Sequence, residues 1–143
     1  MNTSLNISKS IQINAVKNKV WEALTNPEKI KLYLFGTETV STWKTGSPII
    51  FRGEYQGQHY RDKGMILDIK KEELLKYSYW SGFSGLEDKP ENYSYITFTM
   101  HFADNKTTLT LNQAGFKDEQ SKQHSSENWG QVLEKIKEIV EKE

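Results

Sequence analysis

The residues that could do chemistry in this chain do not assemble into a familiar catalytic set. His59, His101 and His124 form no His-x-His or His-x-x-x-His pair. The cysteine count of zero removes any thiolate that would complete a zinc site or attack a substrate. Ser125 and Ser126 follow His124, but consecutive residues of a helix point apart, so this adjacency builds no nucleophile–base pair. No Gly-x-Ser-x-Gly elbow and no phosphate-cradling glycine loop occurs. Glu72-Glu73 and Glu87-Asp88 fall in polar stretches, where hydration leaves carboxyl groups ordinary. The sequence therefore assigns no catalytic residue, no metal ligand and no cofactor.

Binding is the other chemistry a side chain can do, and here the chain is better supplied. It holds four Trp, seven Tyr and six Phe, several of them spaced to share one face of a strand. Phe51, Tyr55, Tyr79, Phe98 and Met100 are the candidates to line a cavity from a sheet. Tyr33 and Phe35 are placed to close its mouth, and Trp129 to form its floor. Each of these on its own is more readily a core residue than a ligand contact; the hypothesis concerns the set. Arg52 or Arg61 could orient a carboxylate or phenolate there, although salt-bridged surface arginines are commoner, and His59, beside the same hairpin, is expected at the surface.

Those side chains need a scaffold, and periodicity supplies one. Leu5, Ile7, Ile11 and Ile13 alternate with polar residues, with Lys9 the exception, and predict a half-buried first strand. Asn14 is the expected cap of a short helix carrying Val16, Val20, Trp21, Ala23 and Leu24. Asn26-Pro27 ends that helix and starts a second, with Asn26 as cap, Glu28 in the first turn, and Ile30 and Tyr33 inward. A turn follows at Gly36.

Residues 37–113 contain only strand-like runs. One short run spans 37–42, and Gly46-Ser47-Pro48 turns the chain into Ile49, Phe51 and Tyr55. Gln56-Gly57-Gln58 is a hairpin turn into a strand over 59–69, and another strand covers 74–80. Residues 81–92 make a long, mobile connection. Ile96, Phe98, Met100 and Phe102 alternate with Tyr95, Thr97, Thr99 and His101, which places His101 outward. Asp104-Asn105 leads into a last strand through Leu109 and Leu111. From 118 onward Trp129, Val132, Leu133, Ile136 and Val140 recur at helical spacing, with Ile139 widening the stripe. Such a helix needs a partner surface, and an antiparallel sheet of about seven strands provides it: an α+β domain filling residues 1–143.

Nineteen basic and nineteen acidic residues cancel, which argues against capture of nucleic acid or an anionic membrane. No apolar run approaches the ~18 residues that insertion in a membrane needs, and no signal segment opens the chain. A cytoplasmic protein is the expectation.

The ordered landmarks resemble a known superfamily. Val20-Trp21-Glu22-Ala23-Leu24-Thr25-Asn26-Pro27-Glu28 looks like its Val-Trp helix and Pro-Glu turn. Gly64-Met65-Ile66-Leu67-Asp68-Ile69 and Leu75-Lys76-Tyr77-Ser78-Tyr79-Trp80 are similar to its central strand pair. Thr107-Thr108-Leu109-Thr110-Leu111 with Ala114-Gly115-Phe116 resembles its last strand and exit turn, and Asn128-Trp129 stands where its closing Gly-Trp helix begins. This is the START-like, or SRPBCC, superfamily, in the branch of the activator of heat-shock-protein-90 ATPase homologue C-terminal domain. The resemblance covers nearly the whole chain. It departs at Asn128 in place of Gly, at Leu32-Tyr33-Leu34 in place of a Trp-containing segment, and at Gly46-Ser47-Pro48 in place of a double glycine.

The resemblance implies a helix-grip fold, a curved sheet around the C-terminal helix with a cavity between. It implies as function the binding of a hydrophobic or aromatic small molecule. Some relatives resemble cyclases or hydrolases, and the branch name implies chaperone contact, although that cochaperone works with an N-terminal domain for which one fold filling this chain leaves no room. The cavity opening is expected beside the polar N-terminal half of the last helix, with Lys122, Ser125 and Ser126 along it and Trp129 at the border.

Overall fold

The computed structural model describes residues 5–82 and 85–142. Strand β1 (Asn6–Ile13) leads into helices α1 (Lys17–Thr25) and α2 (Pro27–Tyr33). Six strands follow: β2 (Glu38–Ser41), β3 (Pro48–Tyr55), β4 (Gln58–Lys70), β5 (Leu74–Tyr79), β6 (Ser94–Ala103) and β7 (Lys106–Ala114). Helix α3 (Glu119–Glu141) closes the chain. The seven strands form one antiparallel sheet in the order β1-β7-β6-β5-β4-β3-β2, so only β1 departs from sequential neighbours. Two short helices after β1 and a long C-terminal helix across the sheet give the helix-grip fold.

Helix α3 is held by its stripe. Val132, Leu133, Ile136 and Val140 are buried, Trp129 and Ile139 are half-buried, and each buried aliphatic side chain contributes about 1.5–3 kcal/mol. Asp118 caps it, accepting from the Ser121 backbone N–H at 2.7 Å, and that bond holds the Asp118 carboxyl below the usual carboxylate range. Helix α2 starts as expected: Asn26 Oδ1 accepts from the Glu28 N–H at 3.0 Å, with Pro27 at the first position and Glu28 in the first turn. Ile30 and Tyr33 point inward.

Helix α1 does not start at Asn14. The Ala15 N–H bonds back to the Ile13 carbonyl at 2.8 Å, which delays the helix until Val16 stands at the cap without a side-chain bond. Asn14 instead donates its backbone N–H to Glu141 Oε2 at 2.8 Å, tying the end of β1 to the last turn of α3. Two strands also end differently from their sequence pattern. Trp80 leaves β5 and keeps only a bridge to Lys63, and Phe102, although in phase with Phe98, runs beyond the core and is 40% exposed.

Strand β4 is long because it changes partners. Its first half pairs with β3 and its second with β5, with a register shift between Ile66 and Asp68. Gly64 sits where β5 crosses closest: a Cβ there would lie 1.6 Å from the Ser78 carbonyl oxygen. In the 81–92 connection, expected to be mobile, the described residues are tied down. Trp80 Nε1 donates to the Leu86 carbonyl at 3.2 Å, Lys63 pairs with Asp88, and Pro90–Asn92 forms a 3-10 turn. Part of that expectation falls on Phe83 and Ser84, which lie outside the described residues.

Candidate functional site

The period of two along each strand decides what faces α3. On the inner face, β3 presents Ile49, Phe51, Gly53 and Tyr55; β4 presents Tyr60, Asp62, Gly64 and Ile66; β5 presents Leu75, Tyr77 and Tyr79. Strands β6 and β7 add Ser94, Ile96, Phe98 and Met100, and Thr107, Leu109, Leu111 and Gln113. Where α3 packs against β1 this face is sealed. Towards β3 and β4 the helix no longer covers it, and a cleft of about 390 Å³ opens between Leu34, Phe35, Phe51, Tyr55, Tyr77 and Ile96 on one side and Ser125, Asn128, Trp129 and Val132 of α3 on the other. Its size is that of a small-molecule site.

The walls are largely aromatic. Phe51 meets Tyr77 at a tilt and Tyr79 edge-on, with ring centroids 5.8 and 5.9 Å apart, and Trp129 meets Phe98 edge-on at 5.7 Å. Phe35 stands at the mouth, 74% exposed, with φ of 55°. A bulky residue in the left-handed region costs on the order of 1 kcal/mol or more, and here that geometry projects an aromatic ring at the entrance.

Polar groups interrupt the apolar face in three places. Asp62 is buried; its Oδ2 accepts from the Tyr79 hydroxyl at 2.5 Å and its Oδ1 from the Gly82 N–H at 3.3 Å. Burial first, then the Asp62 carboxylate, pushes the Tyr79 phenol far above its ordinary range, so at neutral pH Tyr79 is a hydrogen-bond donor and not a proton carrier. Gln113 is also buried; its Oε1 accepts from Trp129 Nε1 at 2.7 Å and from Ser125 Oγ at 2.9 Å, and its Nε2 donates to Ser94 Oγ at 3.0 Å. The Tyr60 hydroxyl bonds Thr37 Oγ1 across the third corner. Gly53 makes room for it, since a Cβ there would lie 2.6 Å from the Tyr60 hydroxyl.

The aromatic set named from the sequence divides between cleft and core. Phe35, Phe51, Tyr55, Tyr79 and Trp129 line the cleft. Tyr33 is not at the mouth: it is buried beneath, its hydroxyl donating to the Ala23 carbonyl at 2.9 Å, and with Phe98 it borders an apolar void of about 20 Å³, room for roughly one water. Met100 lies outside the lining of this cleft, because it sits four residues along β6 from the cleft-lining Ile96, about 13 Å away. Arg52 and Arg61 are not anchors. Arg52 bonds Glu38 at 2.8 Å on the outer surface, and Arg61 alternates onto that exposed face. Histidines 59 and 101 are exposed; His124, also exposed, borders a second groove of about 360 Å³ that shares Tyr79, Gln113 and Ser125 with the cleft.

Asp62 and Gln113 were not among the residues singled out from the sequence. Their signal was the alternation itself: counting back by two from Ile66, or forward by two from Leu111, lands a polar side chain on an otherwise apolar face. Among the described residues no group of three His, Cys, Asp or Glu could hold a metal ion, and no helix is long and apolar enough to cross a membrane.

Over residues 14–141 the chain matches the family described as Activator of Hsp90 ATPase homolog 1-like protein. The solution structure of a Cytophaga hutchinsonii protein is similar to it at a TM-score of 0.85 and 42% identity, covering 99% of this chain and 97% of that one. A crystal structure from Mesorhizobium loti has a TM-score of 0.79 at 20% identity, covering 96% and 97% of the two chains. The Aha1 dimer from Colwellia psychrerythraea has a TM-score of 0.75 at 17% identity over 95% and 96%; these two likenesses show the fold. No curated protein matches the chain.

Proposed function

The chain belongs to the Activator of Hsp90 ATPase homolog 1-like family, with its START-like helix-grip fold, and we propose that it acts as a single-domain cytoplasmic binding protein for a small aromatic or hydrophobic molecule. The observation that carries this reading is the cleft of about 390 Å³ between sheet and α3, aromatic on its walls and polar at a few fixed points. Apolar surface left open there, with a strained Phe35 at the entrance, is what a ligand would cover. Residues Phe35, Phe51, Tyr55, Tyr79 and Trp129 make the contacts. The test is NMR titration with 2-naphthalenemethanol, a neutral aromatic probe: saturable shifts clustered on those residues support the reading, and their absence up to millimolar probe defeats it.

A second reading, acid–base catalysis in the same cleft, draws on one observation: a buried carboxylate, Asp62, is held by a donor, Tyr79, facing the open space. No nucleophile held by a base lines that space among the described residues. Chemical conversion of a bound probe, lost in Asp62→Asn, would favour this reading over simple binding.

A further inference from the structure

The charge lining the cleft has one sign. Asp62 faces it from the inner face of the sheet, the exposed Glu54 stands at its rim, and none of its lining residues is Lys, Arg or His. Nearby cations are directed elsewhere: Arg52 to Glu38 at 2.8 Å on the outer surface, and Lys63 to Asp88. Asp62 is 8% exposed, and the described residues fill two of the roughly four acceptor positions a carboxylate offers, through the Tyr79 hydroxyl and the Gly82 N–H. Beside it stand Phe51, its partner on β3, Tyr60 two residues along the same face, and the bonded Tyr79, all lining the same cleft. Aromatic faces carry negative quadrupole density and favour cations, and a half-satisfied carboxylate in a poorly solvated cleft favours a charged donor.

We infer that this cleft selects organic ammonium ligands, an aromatic or hydrophobic body ending in a protonated amine that bonds Asp62, and discriminates against carboxylates. The inference rests on the binding reading above and adds the chemical class of the ligand. The apolar body lies against Phe51, Ile96 and Trp129, and the ammonium reaches Asp62 between Tyr60 and Tyr79. A carboxylate in the same pose would meet Asp62 with no lining cation to offset it, which is a built-in rejection.

Three probes with one skeleton test this: 2-naphthylmethylammonium, 2-naphthalenemethanol and 2-naphthoate, each titrated by calorimetry into the full chain and into Asp62→Asn. The expected result is that the amine binds at least about tenfold more tightly than the alcohol, with the acid weakest. In Asp62→Asn the amine should fall to the level of the alcohol, whose own affinity stays within about twofold. Equal affinities of amine and acid overturn the inference, as does an amine preference that survives Asp62→Asn. If the alcohol binds but the amine gains nothing, only the ammonium selection fails; if no probe binds, the cleft is not a binding site and both readings fall. Melting curves of Asp62→Asn confirm that it is folded, and Asp62→Ser is the substitute if it is not.

Discussion

Replacing Gln113 with Leu removes the bonds that join α3 to the sheet at the cleft and leaves a branched apolar side chain one bond shorter. Three hydrogen bonds are lost: from Trp129 Nε1 at 2.7 Å, from Ser125 Oγ at 2.9 Å, and to Ser94 Oγ at 3.0 Å. At a net ~1 kcal/mol each the sum is about 3 kcal/mol. Trp129 and Ser125 are half-buried beside the cleft, so water can re-pair them, whereas Ser94 is buried and keeps only a long 3.4 Å bond to the Tyr79 carbonyl. That lowers the expectation to about 2 kcal/mol. With an unfolding entropy of about 2.1 cal/mol/K per residue over 143 residues, the melting temperature should fall by about 7 °C. Calorimetry reads the stability. The indole N–H resonance of Trp129 reads the local change, and it should move and exchange faster. A melting temperature within 2 °C of the parent, with the indole signal unmoved, would refute the view that Gln113 fastens the helix over the cleft.

Gly64→Ala should cost about 3 kcal/mol or more, or prevent folding, because the added carbon would sit 1.6 Å from the Ser78 backbone oxygen, which cannot swing aside; denaturant titration measures it. Thr39→Val should be neutral or stabilise by up to about 1 kcal/mol, since Thr39 Oγ1 is buried without a hydrogen-bond partner; a loss of more than 1 kcal/mol in the same assay would show that the hydroxyl has one. At high pH the sign follows from the buried phenols. Burial raises Tyr33, Tyr77 and Tyr79 above the ordinary value near 10, so their contribution is complete below about pH 10 and is lost as pH rises through the folded values. Phenolate absorbance should therefore show these three ionising only with unfolding, and Tyr77→Phe should extend the alkaline limit.

The frame was legible because periodicity records burial. The α3 stripe, the Asn26-Pro27 junction and the alternation of β6 each fix an element and its inward face. Less legible were features set by tertiary geometry. Asn14 has the right side chain for a cap, but the turn at Ala15 shifts the helix start and gives its backbone to Glu141. Arg52 had a suitable position beside the hairpin, yet Glu38 on the neighbouring strand takes it. Phe98 and Met100 belong to the same apolar sheet face as Phe51, and Tyr33 packs towards it from α2; sequence alone does not say where α3 stops covering that face. Asp62 and Gln113 escaped for a different reason. A search for apolar residues on one face passes over the polar ones in phase with them, and those are where a cleft acquires its chemistry.

Saturable binding in the cleft is tested most directly by following the backbone amide and Trp indole resonances of the full chain during titration with 2-naphthalenemethanol. The account predicts shifts that saturate together at Phe35, Phe51, Tyr77, Gln113 and Trp129, with none at His101 on the outer face. No shift up to millimolar probe, or shifts scattered over both faces of the sheet, would contradict it.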